Sequence, residues 1–588
     1  MPLNEPKTLL QRGREWTRYL DLDARLECAR AADVPTLLED LERATERGFH
    51  VVGYLSYDAA SGLGLPARDR DPDAPPLASF GLFRRCEPAA PPRPDWNAVV
   101  PRLDWRPGID RRRYVRAVER IHDHLAAGDT YQVNFTFPLV SEFDQDPGEL
   151  FARLVAVMRP RHAAYLDLGR HVVVSASPEL FFSLEGDRLA ARPMKGTLGR
   201  APTPETDRER ARRLRDSEKD RAENVMIVDM LRNDLGRIAE IGSVAVESLF
   251  EVETYPTLHQ LTSTVTARSR APLSRILSAL FPCASITGAP KRGSMELIAA
   301  LETGPRGVYT GAVGYLGPGR RASLSVAIRT AVVDRQLRQA RYGVGSGIVA
   351  DSVAQDEYQE CLLKARVLEE RPFRLLETLR WSPGEGYRLI DEHLDRLERS
   401  GRYFAADPGL RESARRALAE NATSLTDASR VRLLADLDGR LEIQSTPLEE
   451  SGDPPPSRVA FATRPIAASA PWLYHKTTRR ELYDRALAER PDCDDVLLWN
   501  ERGELTESTR ANVVVELPEG RFTPPVECGL LPGTLRSRLL VEGRLRERRM
   551  RVGEIAGRRL LLVNSVQGWS EARLVGPAPE VSVVPARL

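Results

Sequence analysis

One lysine stands beside a glycine in the run Arg192-Pro193-Met194-Lys195-Gly196-Thr197. An ammonium held against close-approaching backbone loses solvation, its pKa falls, and the free amine becomes a nucleophile. Lys-Gly is also a common surface turn dipeptide, so the hexapeptide takes its meaning from what surrounds it. Asp220 and Glu223 stand three positions apart, which puts both carboxylates on one face of a helix that also carries Val225, Met226, Val228 and Leu231. Far along the chain, Glu357 and Glu360 repeat that spacing. Two helices that each present a pair of acids can bind magnesium, a hard cation that prefers carboxylate oxygens and also takes water and substrate oxygens. The same spacing in most proteins is a solvated helix face. Gly345-Ser346-Gly347 adds backbone N–H groups that an anion can approach closely.

These groups need elements to hold them. Arg113 to Leu125 carries apolar residues three and four apart, an amphipathic helix that Gly128 ends. Asp129 to Phe137 alternates polar and apolar residues as a strand does, and Val51 to Tyr57 reads as another strand. From Leu65 to Pro107 the prolines are dense, and the stretch reads as a long, mobile surface connection without regular elements. The helix holding Cys361 and Lys364 runs into Glu369-Glu370-Arg371-Pro372, where proline disfavours its continuation. The main boundary is therefore expected near Pro372. A second cluster, Gly452-Asp453-Pro454-Pro455-Pro456-Ser457, divides the C-terminal remainder into a small and a large lobe. No repeat of fixed period appears.

The whole chain narrows the classes. At 588 residues it exceeds a single core. A net charge of +1 gives no basic field for nucleic acid or a membrane surface, so small molecules or proteins are the expected partners. Six scattered cysteines without CxxC spacing fit reduced thiols. The N-terminal MPLNEPKTLLQRGREW lacks an apolar core of signal-peptide length, and no run approaches a membrane span. A soluble cytoplasmic protein is expected.

Ser175-Ala176-Ser177-Pro178-Glu179-Leu180-Phe181, the Lys195 hexapeptide and Asp216 to Arg237 together resemble the chorismate-utilising enzymes. A lysine where Lys195 stands is similar to the members that make 4-amino-4-deoxychorismate, since members that make anthranilate typically carry alanine there. The resemblance implies that Lys195 attacks C2 of chorismate and that Glu179 is the general acid at the C4 oxygen. It also implies that Glu223 and Glu360 hold Mg2+ with Asp220 and Glu357 near it, Asp220 departing from the usual glutamate. Arg329 would grip a substrate carboxylate with Tyr309 beside it, and Gly345 and Gly347 would take the other carboxylate. Thr197, Gln132 and His259 would line the pocket, Gln132 standing where relatives that add water use a lysine. In Phe281 to Lys291, Cys283 and Ala284 replace the small residue and glycine usual in the family. No cysteine has the setting of a glutaminase nucleophile, so a separate glutamine amidotransferase subunit, or free ammonia, would supply the nitrogen.

A second set of motifs stands in order: Leu376-Glu377-Thr378-Leu379, His393 to Ser400, Tyr474-His475-Lys476-Thr477-Thr478, Gly503 to Asn512, and Gly529 to Arg536. It resembles the class IV aminotransferases, which include lyases. By that resemblance Lys476 forms the Schiff base with pyridoxal phosphate and Glu507 pairs with the pyridine nitrogen. Arg396, Gly533, Thr534 and Ser565 would cradle the phosphate. Ala511 replaces the usual serine or glycine.

The expectation is a fusion of two enzymes. An α+β chorismate-binding domain with large antiparallel sheets, residues 1–370, would be followed by a two-lobed fold-type IV domain, 371–588, with lobes 371–456 and 457–588. Together they would convert chorismate to p-aminobenzoate, the fusion favouring the lyase reaction over transamination. An anthranilate-type synthase joined to a true aminotransferase is the alternative that Lys195 opposes. A silent scaffold for an amidotransferase is the other, opposed by the complete set of candidate residues. The oligomeric state stays open, a homodimer through the second domain being one form the sequence allows.

Overall fold

Asp110 begins the amphipathic helix expected around Arg113 to Leu125 by accepting a hydrogen bond from the Arg113 N–H, and Gly128, at φ +80°, ends it. Between them Arg111–Ala127 buries Tyr114, Ala117, Val118 and Ile121 on one face, as the spacing requires. The next strand is Gln132–Glu142, three residues later than its sequence signal starts. It pairs antiparallel with Gln339–Ile348, which sets Gly347 opposite Asn134 and Gly345 opposite Thr136.

The computed structural model describes residues 8–96, 103–448 and 455–579. The chain divides into two units: Met1–Leu198 with Ala211–Pro372, and Gly199–Arg210 with Phe373–Leu588. In the first unit an 18-stranded network is packed with helices, and its ladders are antiparallel. Among the described residues no helix is long and apolar enough to cross a membrane.

The proline-dense stretch departs from expectation. Ala78–Pro88 is a strand of 11 residues, paired with Glu15–Cys28 on one side and His50–Leu55 on the other. Its Phe80, Leu82 and Phe83 are buried. The prolines flank this run and do not enter it until Pro88, so the ladder keeps its N–H donors. Residues 97–102 of the same stretch lie outside the described residues. The strand expected over Val51 to Tyr57 is His50–Leu55, and Tyr57 opens a short 3-10 turn.

Ala354–Ala365 is the helix carrying Glu357, Glu360 and Lys364, and a single 3-10 turn, Arg366–Leu368, closes it before Pro372. In the second unit a four-stranded antiparallel sheet packs against Ile390–Tyr403 and Leu410–Ala422 around Leu375, Leu379, Leu394 and Phe404. An eight-stranded sheet comes after it in the chain, mixing parallel and antiparallel pairs. Residues 449–454 lie outside the described residues, and with them Gly452, Asp453 and Pro454 of the second proline cluster.

Gly199–Arg210 folds with this second unit although it comes directly after the Lys195 strand. Arg200, 8% exposed, forms a bidentate pair with Asp207, Nε to Oδ1 at 2.8 Å and Nη2 to Oδ2 at 2.7 Å. It covers the Tyr403 ring at 4.0 Å and donates to the Tyr403 carbonyl at 2.8 Å. The Tyr403 hydroxyl donates in return to the Ala201 carbonyl at 2.8 Å.

Candidate active sites

Lys195 lies in the strand Met194–Gly199. Asn224, 1% exposed on the helix Glu218–Gly236, donates to the Lys195 carbonyl at 3.3 Å and accepts from the Ser263 hydroxyl at 2.6 Å. Strand and helix are therefore pinned at the reactive position. That Ser217 caps the helix by accepting from Asp220 N–H fixes where its first turn begins. Asp220 in that turn and Glu223 in the next then face the strand: Lys195 Nζ is 2.9 Å from Glu223 Oε2, and a Cβ on Gly196 would meet Asp220 Oδ1 at 3.0 Å.

Three elements converge on that amine. A Cβ at Gly347 would lie 3.0 Å from Lys195 Nζ and 3.1 Å from Gln132 Nε2, so only glycine leaves both side chains where they are. Gln132 is 1% exposed and its Oε1 has no hydrogen-bond partner. Glu360 stays below the usual carboxylate range although burial opposes ionisation, because Lys364, Lys195 and Arg329 surround it with positive charge. Lys364 pairs with Glu360 at 2.6 Å and donates to the Gly345 carbonyl at 2.9 Å.

Glu179 is the buried acid of this unit, 3% exposed. Burial pushes its carboxyl up to about 7, held from going further by the Ser285 hydroxyl at 2.7 Å and the Met194 backbone N–H. Met194 precedes Lys195, so the acid is tied to the backbone one residue before the lysine. The Cys283 thiol, at the position that departs from the family pattern, lies 3.2 Å from Ser285 Oγ. Arg329 takes φ +52°, a left-handed conformation costly for a side chain with a Cβ, and donates to the Lys364 carbonyl. Tyr309 lays its ring over Gly343, where a Cβ would come within 2.1 Å of it.

Other candidates have more local partners. Thr197 is exposed and donates to Gln260 Oε1 at 2.9 Å. His259 is buried with Nδ1 3.1 Å from Thr254 Oγ1. Glu357 accepts from Ser352 Oγ at 2.7 Å. Among the described residues no three His, Cys, Asp or Glu side chains gather as a ligand set. Glu223 and Glu360 both face Lys195. Mg2+ commonly takes one or two carboxylates and completes its shell with water and substrate oxygens. The donor pair fits that mode of binding.

The second unit holds a denser network. Burial and the neighbouring Arg396 and Arg480 charges bring Lys476 down to about 8. Burial pushes Glu507 up to about 8. Glu507 Oε1 accepts from the Tyr483 hydroxyl at 2.9 Å, and Oε2 from Leu531 N–H at 3.2 Å and Asn512 Nδ2 at 3.4 Å. Arg396, 4% exposed, is clamped on Glu377 through Nε at 3.0 Å and Nη2 at 2.6 Å, and Nη1 reaches the Pro532 carbonyl at 3.3 Å. Against the penalty of burial, the Arg396 charge and the His393 hydrogen bond hold Glu377 down at about 2. His393 Nε2 is 3.3 Å from Thr534 Oγ1, the first residue of the helix Thr534–Val541. A Cβ at Gly533 would stand 2.0 Å from Asn512 Oδ1, so the turn into that helix admits glycine alone. Ser565 donates to the Thr378 carbonyl at 3.3 Å. A pyridoxal phosphate fits these residues: a buried amine brought down to about 8, a buried carboxyl held by three donors, and a helix N-terminus near a buried guanidinium.

Several residues escaped sequence reasoning. Asn224, Ser285, Gly343, Glu377 and Tyr483 act by contacts across the fold, and no spacing announces them. Glu302 and Arg306 carried a signal, an i, i+4 pair of opposite charge. Buried, they tie the Gln132 strand to the Ile286 turn through Thr136, Asn134 and Ile286.

A family model described as chorismate binding enzyme matches residues 5–370, and one described as amino-transferase class IV matches residues 374–575. Aminodeoxychorismate synthase of Streptomyces griseus is 44% identical over 272 residues, 46% of this chain and 37% of that protein. Aminodeoxychorismate synthase component 1 of Escherichia coli K12 is 40% identical over 270 residues, 45% of this chain and 59% of that protein. The chain thus spans less than two thirds of either relative. Anthranilate synthase component I from Streptococcus pneumoniae shares the fold, with a TM-score of 0.53 and 24% identity over 63% of this chain and 94% of that one.

Proposed function

The chain belongs to the chorismate binding enzyme family, and from that premise we propose that it makes p-aminobenzoate from chorismate in two steps, one in each unit. The contact that carries the first step is Lys195 Nζ against Glu223, with Gln132 and Gly347 around the same amine. The Lys195 amine adds at ring C2 while the C4–O bond breaks, and Glu179 delivers the proton that lets the oxygen leave as water. A carboxyl poised at about 7 is protonated often enough near neutrality to do this. Ammonia then bonds to C4 as the C2–N bond to Lys195 breaks, which leaves 4-amino-4-deoxychorismate and restores the amine. Arg329, with Tyr309 near it, holds one substrate carboxylate by its planar fork. Magnesium held by Glu223 and Glu360 would neutralise carboxylate charge that the basic side chains leave uncovered. The ammonia comes from a partner glutamine amidotransferase.

The class IV unit takes the second step. Pyridoxal phosphate, when bound there, supplies the electron sink for the loss of a proton next to the substrate amine. Lys476 is the residue placed to carry that proton from C4, since burial brings its amine down to about 8 and makes the free base accessible. Glu507 would pair with the pyridine nitrogen, and Arg396 with the Gly533-Thr534 turn would hold the phosphate. Pyruvate leaves from C3 and the ring becomes aromatic. Six free cysteines support a reducing compartment such as the cytoplasm.

The deciding experiment is one reaction containing the chain, chorismate, ammonium, Mg2+ and pyridoxal phosphate. The expected product is p-aminobenzoate with one pyruvate; o-aminobenzoate would overturn the reading.

A further inference from the structure

In its ionised form, which burial opposes and its hydrogen-bond donors support, a carboxylate offers about four acceptor positions, and at Glu507 three are taken. The Tyr483 hydroxyl fills one at 2.9 Å, the Leu531 N–H a second at 3.2 Å and Asn512 Nδ2 a third at 3.4 Å. Asn512 is itself fixed, donating to the Leu531 carbonyl at 2.9 Å while its Oδ1 closes on Gly533. One position remains, which suits a single N–H donor. Of the three donors only the Tyr483 hydroxyl is supplied by the helix Glu481–Ala488, the next helix after Lys476 in the chain. Tyr483 is 9% exposed, and the Arg480 guanidinium lies 4.8 Å from its ring centroid. Arg480 is held there by the Thr509 carbonyl at 2.6 Å. A cation over the face of a phenol draws electron density from the ring and makes its hydroxyl a stronger donor.

We propose that Tyr483, polarised by Arg480, is a positioning residue for the second site: it fixes the Glu507 carboxylate so that its one free acceptor position meets the pyridine nitrogen. The inference rests on the reading of Glu507 as the partner of that nitrogen. Tyr483 touches neither substrate nor cofactor and acts through Glu507 alone. Removing the hydroxyl leaves a buried carboxylate oxygen without a donor, which favours its protonated form and weakens its hold on a pyridinium.

The test titrates the full-length apo chain with pyridoxal phosphate and monitors near-ultraviolet and visible absorbance. Wild type, Tyr483→Phe, Glu507→Gln and the double variant are compared after matching far-ultraviolet circular dichroism. A hydrogen bond to a charged group is strong enough that Tyr483→Phe is expected to bind the cofactor about tenfold more weakly. Its bound-cofactor spectrum should move in the same sense as that of Glu507→Gln. In the Glu507→Gln background, Tyr483→Phe should add nothing. If Tyr483→Phe binds and absorbs as wild type while Glu507→Gln is impaired, the proposal falls and the reading of Glu507 stands. An equal further loss in the double variant would also overturn it, by showing that Tyr483 acts elsewhere. If Glu507→Gln itself is unimpaired, it is the reading of Glu507 that fails. Should Tyr483→Phe not fold, Arg480→Met supplies the outcome: about two- to threefold weaker binding with the same spectral movement, against no change if the proposal is wrong.

Discussion

Gly347 lies so close to Lys195 that a single added methyl group would stand 3.0 Å from the amine. The glycine therefore sets where the nucleophile can rest. Gly347→Ala should push Lys195 by a few tenths of an ångström and leave the fold intact. Since a displacement near one ångström costs about a hundredfold, amination with ammonium should fall about tenfold at unchanged melting temperature. Steady-state kinetics with chorismate would check it.

Lys195→Ala should lower ammonia-dependent amination on the order of a thousandfold, as loss of an attacking group does. Chorismate binding, measured by calorimetry, should change far less. Unchanged turnover would remove the nucleophile role.

Glu179 has its carboxyl raised to about 7 by burial, so kcat/KM for amination should fall tenfold per pH unit above about 7 as the acid loses its proton. The same shift has a stability consequence. The folded state holds this proton up to about 7, whereas the unfolded chain releases it near the ordinary glutamate value, so stability declines with rising pH between the two. Glu179→Gln should therefore be inactive in the acid step yet melt higher than wild type at pH 8, with no such gain at pH 4.

Glu377 is depressed to about 2 by Arg396 and His393. Its contribution to stability is thus complete above the ordinary glutamate range and lost as pH falls toward 2. Glu377→Gln leaves the Arg396 guanidinium buried without its counter-charge, a change that typically costs about 3–5 kcal/mol. Urea denaturation of the second unit at neutral pH should show it, together with weaker pyridoxal phosphate binding. An unchanged denaturation midpoint would contradict the clamp.

Arg200 lies within the span matched by the chorismate binding model yet folds with the second unit. Arg200→Ala should destabilise that unit by roughly the same 3–5 kcal/mol, since the buried Asp207 loses its counter-charge. Differential scanning calorimetry of the full chain should show a lowered transition for one unit. A fragment starting at residue 373 should melt lower than the same unit in the whole chain.

Much of the first site was legible because its residues sit in local patterns. The acid pairs stand at helical spacing, and Gly128 marks a helix end by the chemistry of caps. The proline-dense stretch misled because the prolines flank Ala78–Pro88 without interrupting it until its end. The contacts of Asn224 with the Lys195 carbonyl, of Ser285 with Glu179 and of Tyr483 with Glu507 join residues that are 29, 106 and 24 positions apart. No periodicity encodes such distances.

The sequence by itself determined which side chains are present, their helical or strand spacing, and hence the kind of chemistry on offer. Only the tertiary structure decided their protonation and their aim. Burial raises Glu179 and Glu507 and lowers Lys476 because low-dielectric surroundings penalise charge, and that penalty exists only once distant segments close over the group. For the same reason the assignment of Gly199–Arg210 to the second unit could not be read from chain order: a buried ion pair is made by what surrounds it, not by what precedes it.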